Sequence, residues 1–203
     1  MCHFGRYTHV YNHQHRAPQR ALTSEDAASS TQIAVPSGAA RRLLAVLRIA
    51  TGAMFLWPFF DKTFGLGFST TTDMAWINGG SPTQGFLGNL DPAKPFSGVL
   101  SAIASPVTDW LFMIGMLGVG LALILGIGTR VAGAAGALLM GMLYLAVLPA
   151  VSGQEPSTNP VVDQHIILAL VAIIVPLTRA GDTWGLGRWW RSLPLVKRNP
   201  WLI

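Results

Sequence analysis

The sequence predicts an all-α integral membrane protein, a four-helix bundle with a long outer loop that carries a short interfacial helix. Three observations predict it. Of the 203 residues, 51% are hydrophobic and only 11% are charged, against roughly a quarter charged in a soluble domain. The apolar residues gather in four blocks close to the length of about 20 residues that a bilayer-crossing helix needs. The lysines and arginines stand outside those blocks and towards the two ends of the chain. A nucleic-acid binder would carry them along one exposed face, so nucleic acid is excluded as a partner and membrane lipid takes its place.

The elements follow in order. Residues 1–36 are polar and lack hydrophobic periodicity, which reads as a flexible cytoplasmic tail. His9, His13 and His15 are spaced closely enough to bind a metal, but a disordered tail accounts for them as well. The transmembrane domain takes residues 37–203, with spans at about 42–62, 106–127, 130–148 and 160–178. Ser105-Pro106 and Asn159-Pro160 each set a capping side chain before a proline at the first helical position. Pro149 ends the third span, and Ile127 to Arg130 form a tight hairpin between the second and third. Gly118, Ala122 and Gly126 recur every four positions in the second span, as do Gly133, Ala137 and Gly141 in the third. Such ridges let two helices approach closely in lipid.

Orientation follows from the cations. With the amino terminus in the cytoplasm and four crossings, Arg41, Arg42, Arg130, Arg179, Arg188, Arg191, Lys197 and Arg198 lie inside. Only Lys62 and Lys94 then lie outside. The expectation is a multi-pass protein of the cell membrane with both termini cytoplasmic. Trp57, Trp76 and Trp110 fall near the outer boundary, and Trp184, Trp189, Trp190 and Trp201 near the inner one, the depths that indole rings prefer.

The outer segment, residues 63–106, contains AWINGGSPTQGFL at 75–87. Ser81-Pro82 starts a short helix, Gly79-Gly80 supply backbone freedom and open amides, and Trp76 and Phe86 dock the stretch on the membrane surface. A loop of this length is a functional lid or a plain connector.

A few polar residues stand at or inside the spans. Arg48 lies six residues after Arg42, about 9 Å into the apolar layer. It either snorkels back to the cytoplasmic interface, or faces the bundle and pairs with a carbonyl or an anionic ligand. Helical spacing puts Arg48, Gly52, Phe55, Phe59 and Lys62 on one face. Asp61 and Lys62, just after Pro58, are a salt-bridged helix end, or they meet Asp163 and His165 from the fourth span. With Asn159 as cap, Asp163 sits just beyond the first turn, where the helix dipole favours a carboxylate. His165, two positions on, points away from it on a regular helix. It is a satisfied structural histidine or a proton carrier, for which its titration range suits it.

Other chemistry is missing from the sequence. Cys2 is the only cysteine, so an intramolecular disulfide is excluded. One histidine near a span cannot supply a two-histidine haem site, and no nucleotide fingerprint follows a strand. No bound haem, flavin or metal is evident in the sequence.

Five stretches in order carry a resemblance: LRIATGAMFLWPFFDKTFGLGF, AWINGGSPTQGFL, DWLFMIGMLGVGLALILGIGTR, NPVVDQHI and DTWGLGRWW. Over roughly residues 43–203 the chain resembles the DoxX/DoxD membrane proteins, particularly the DoxD-like large subunit of thiosulfate:quinone oxidoreductase. The resemblance implies a four-helix membrane bundle that passes electrons from a reduced sulfur compound, typically thiosulfate giving tetrathionate, to membrane quinone. A small second subunit or a redox partner accompanies such proteins. On that reading His165 and Asp163 relay protons as the catalytic pair. Arg48, Asp61, Lys62, Trp76, Asn78 and Asn159 form the substrate-binding set. The alternative is a non-catalytic membrane adaptor that anchors or stabilises thiol-redox or respiratory partners.

Overall fold

The computed structural model describes residues 35–148, 159 and 161–203, and among them every regular element is helical. The tail with His9, His13 and His15, and the positions of Pro149 and Pro160, lie outside the described residues.

Helix α1 spans Gly38–Phe64. Ser37 caps it by accepting from the Ala40 N–H at 3.4 Å, and Gly65 closes it in the left-handed region at φ 64°. Pro58 lies inside and the helix runs on past it. Two short helices follow, α2 at Pro82–Leu87 and α3 at Ser97–Ala102. The first starts at Ser81-Pro82 as the sequence predicts. Helix α4, Pro106–Leu125, is capped by Ser105, whose Oγ accepts from Thr108 N–H at 3.3 Å. Gly126 and Gly128 turn the chain into α5, Thr129–Val147. Helix α6 is Gln164–Leu177, and α7 (Gly187–Ser192) and α8 (Pro194–Arg198) finish the chain.

Three of these helices, α1, α4 and α5, are long and apolar enough to cross a membrane, with mean hydropathies of 1.8, 1.9 and 1.6. The fourth expected span is shorter than predicted. Helix α6 has 14 residues, about 21 Å at 1.5 Å per residue, against about 30 Å of hydrocarbon. The residues 161–163 ahead of it are extended or bent instead of helical, because Asp163, not Asn159, is the helix cap.

The four apolar helices converge on one small residue. A Cβ built on Gly136 of α5 would stand 3.3 Å from Phe55 of α1, 3.1 Å from Val119 of α4 and 3.4 Å from Ala172 of α6. Phe55, Val119, Leu123 and Val175 fill the core around this point. Along the predicted face of α1, Arg48, Gly52 and Phe55 are buried, while Phe59 and Lys62 are half-buried.

The α4–α5 pair does pack, but not through the predicted ridges. Gly118 and Gly141 face open space. The close approaches are Gly115 against Leu139 and Gly136 against Val119, while Gly133 turns to Ala172 and Pro176 of α6. The buried positions of α4 are 109, 113, 116, 119, 120 and 123, so a line through 118 and 122 falls beside that face.

Helices α1 and α4 cross where Gly52 meets Gly120. A Cβ on Gly52 would lie 2.7 Å from Ile124 Cγ1 and 2.9 Å from the Gly120 carbonyl. The expected result for Gly52→Ala is therefore a loss of about 1–3 kcal/mol from overpacking, checked by thermal unfolding in detergent. Gly118→Ala, with nothing in the way, is the neutral comparison.

The antiparallel run of α1 and α6 fixes levels. From the Phe55–Ala172 level, Asp61 lies about 9 Å and His165 about 10 Å along their helices towards the same end. Arg48 lies about 10 Å towards the other. These are termed the acidic and basic ends.

Candidate functional site

Three carboxylates mark the acidic end, and each has a different job. Asp61 is 1% exposed. It accepts from Phe68 N–H at 3.1 Å, Ser69 N–H at 3.0 Å and Ser69 Oγ at 2.6 Å. It therefore ties the loop after α1 back onto the helix. Lys62, next to it, reaches Ser69 Oγ at 3.5 Å. No hydrogen bond or ion pair among the described residues joins Asp61 or Lys62 to Asp163 or His165. The expected four-residue cluster is two separate pairs at one level.

Asp109, in the first turn of α4, is 4% exposed. Its Oδ2 accepts from Ser81 Oγ at 2.6 Å, and its Oδ1 from Thr83 N–H at 2.6 Å and Thr83 Oγ1 at 2.7 Å. One buried carboxylate thus holds the start of α2 against α4. Trp76 adds an edge-on contact with Trp110, centroids 4.6 Å apart. The loop is docked on the bundle. Removing the carboxylate with Asp109→Ala leaves the buried Thr83 N–H without its acceptor, at a cost of about 1–3 kcal/mol. The expected result is faster amide exchange in Pro82–Leu87 while α4 and α5 keep their protection.

Sequence reading missed Asp109. Its partners lie 26 and 28 positions away, and the only local signal was an acidic residue in a first turn, which the helix dipole explains without any loop.

Asp163 and His165 form the third group, and here the structure corrects the helical-face expectation. Asp163 precedes α6 with extended backbone, φ −120° and ψ −175°. Its Oδ1 caps the helix, accepting from His165 N–H at 3.0 Å and Ile166 N–H at 3.2 Å. Its Oδ2 accepts from His165 Nδ1 at 2.6 Å. The rule that side chains two apart face away holds only inside a helix, and Asp163 is outside it.

Both side chains are partly buried, His165 at 13% and Asp163 at 27% exposure. The second ring nitrogen, Nε2, has no hydrogen-bond partner among the described residues. Tyr144 of α5 fixes the approach to α6 by donating to the Val161 carbonyl at 2.7 Å. Asn159, expected as the helix cap, instead caps a turn: its Oδ1 accepts from Val161 N–H at 2.9 Å and Val162 N–H at 3.0 Å.

The remaining predicted residues are engaged within the chain. Asn78 donates to the Thr72 carbonyl at 2.7 Å. The amides expected to be open are not: Gly79 N–H donates to Trp76 O at 3.1 Å and Gly80 N–H to Ala75 O at 3.0 Å.

Arg48 lies at the basic end and is fully buried. Of the two pairings expected for it, the structure has the one with carbonyls. Nη1 donates to Leu123 O and to Ile124 O at 2.7 Å, and Nη2 to Thr183 O at 3.3 Å and Trp184 O at 3.1 Å. Gly126 and Gly185 press on the guanidinium so closely that a Cβ on either would lie 3.1 Å from it. The cation thus sits at the negative end of the α4 dipole.

Among the described residues, no group of three or more His, Cys, Asp or Glu could hold a metal. No family model, curated protein or solved structure matches the chain.

Proposed function

We propose that the protein crosses the cell membrane four times, with both termini in the cytoplasm, and passes electrons from a reduced sulfur anion to membrane quinone. Helix α6 supplies about 21 Å, and the three residues 161–163 before it add about 10 Å when extended, together enough for a fourth crossing. The excess of Lys and Arg at the basic end supports the orientation.

One observation carries the activity: the 2.6 Å bond between Asp163 Oδ2 and His165 Nδ1. With Nδ1–H donating to the carboxylate, a neutral ring presents a bare Nε2 that takes a proton, and the imidazolium then gives it up. Oxidising two thiosulfates to tetrathionate releases two electrons, and a quinone that takes them also takes two protons to become the quinol. His165 delivers those protons from water at the acidic end. Quinone supplies the electron acceptor, and the Nε2 edge is the polar handle its oxygen needs. The resemblance of five stretches, in order, to DoxX/DoxD proteins supports the same reading.

The test is quinol formation by the purified protein, followed spectroscopically with a short-chain quinone and thiosulfate, sulfite and a thiol in turn. Thiosulfate-dependent turnover is the expected result. Folded protein that turns over with no donor sinks the proposal.

A second reading has an observation of its own. Arg48, Asp61, Asn78 and the Gly79 and Gly80 amides are all engaged within the chain, which leaves Lys62 as the cation nearest to an anion site at the acidic end. This favours an adaptor that stabilises respiratory or thiol-redox partners without turnover of its own. Stoichiometric co-purification with such a partner, without turnover by either protein alone, would select it.

A further inference from the structure

The last 20 residues fold into a platform under the basic end. It is fastened by several bonds. Arg191 grips Asp182 with both nitrogens, at 2.5 and 2.6 Å. Trp190 Nε1 donates to Leu202 O at 2.6 Å, and Arg130 donates to Pro200 O at 3.0 Å and to Ile203 O at 2.7 Å. Val196 and Gly187 are buried beneath.

Arg188, Lys197 and Arg198 of the platform are all exposed. Trp184, Trp189 and Trp201, which precede, separate and follow these cations in the chain, are 61%, 55% and 62% exposed. Three large indoles left uncovered on a segment so firmly fastened are not folding remnants. They alternate with cations, and the only acid from 179 to 203 is Asp182, already paired with Arg191.

We propose that this platform is a binding site for anionic phospholipid headgroups of the bilayer that the bundle crosses. Indole rings settle at headgroup depth, and cations beside them meet the phosphate and its negative surface potential. The site lies where the helices place it: Arg48 of α1 holds the Thr183 and Trp184 carbonyls, so the platform begins at the membrane-facing base of the bundle. The inference stands without the electron-transfer reading and does not use the acidic end.

Each basic residue at an anionic surface is worth roughly a fivefold factor in affinity, so three give on the order of a hundredfold. The experiment compares full-length protein in phosphatidylcholine nanodiscs with and without phosphatidylglycerol, reading thermal unfolding and lipid retention in native mass spectrometry. Phosphatidylglycerol is expected to raise the unfolding temperature and to be retained preferentially. The triple variant R188Q/K197Q/R198Q is expected to lose both effects while unfolding like wild type in phosphatidylcholine alone. Glycerol phosphate in solution separates a headgroup site from a site for free phosphate. Equal behaviour of wild type in the two lipid mixtures overturns the proposal. So does a triple variant that keeps the preference, or full stabilisation by glycerol phosphate without lipid. Quenching of tryptophan fluorescence by brominated lipid is a second readout, and its absence counts against the platform even if the variant fails to fold.

Discussion

Arg48→Ala is expected to be the most destabilising single change at the basic end, because each buried carbonyl left without its donor costs about 1–3 kcal/mol. The guanidinium satisfies four carbonyls at once, two on α4 and two at residues 183 and 184. Alanine leaves those acceptors facing a void, two of them at the buried end of α4. Lysine is expected to rescue only in part, because a single ammonium at the tip of its stem cannot span both segments as a planar fork does. The order of unfolding temperatures in detergent should be Arg, then Lys, then Ala. A protein typically has only about 5–15 kcal/mol to lose, so poor yield of the alanine variant is part of the expected result. An alanine variant as stable as wild type would show that the four bonds do not hold the ends of the bundle together.

His165→Ala is expected to lower thiosulfate-dependent quinone reduction by about 10²–10⁴-fold, the usual contribution of a positioned acid–base group. Asp163→Asn is expected to do less. An asparagine still caps a helix, so α6 keeps its start, but the ring loses the carboxylate that orients Nδ1. The two variants separate chemistry from architecture: both should unfold near the wild-type temperature while their rates fall. Full activity in His165→Ala removes the proton-relay role.

The all-helical class and the three long apolar helices were legible because apolar blocks of membrane length are a property of composition. The caps at Ser81 and Ser105 were legible for a similar reason, since each is a local bond within four residues. The helix-packed face of α1 was readable from Arg48, Gly52 and Phe55 at helical spacing. What escaped the sequence depended on where a helix begins. Placing the cap at Asn159 put Asp163 inside α6 and turned its side chain from His165. Moving that boundary by four residues brings the two groups to 2.6 Å. Asp109 escaped because its loop partners are distant in the chain, and no spacing rule links residue 83 to residue 109. The choice for Arg48 between a carbonyl and a ligand turned on residues 183 and 184, more than 130 positions away.

That last separation bears on how the protein is made. Arg48 leaves the ribosome 135 residues before Thr183 and 136 before Trp184. At about 5–20 residues per second, the cation travels for on the order of ten seconds before its final acceptors are synthesised. The Leu123 and Ile124 carbonyls arrive about halfway through that interval. The leading helix therefore begins biosynthesis with a charge that its own strand of the nascent chain cannot neutralise, and only translation of the carboxyl-terminal turn completes the closure.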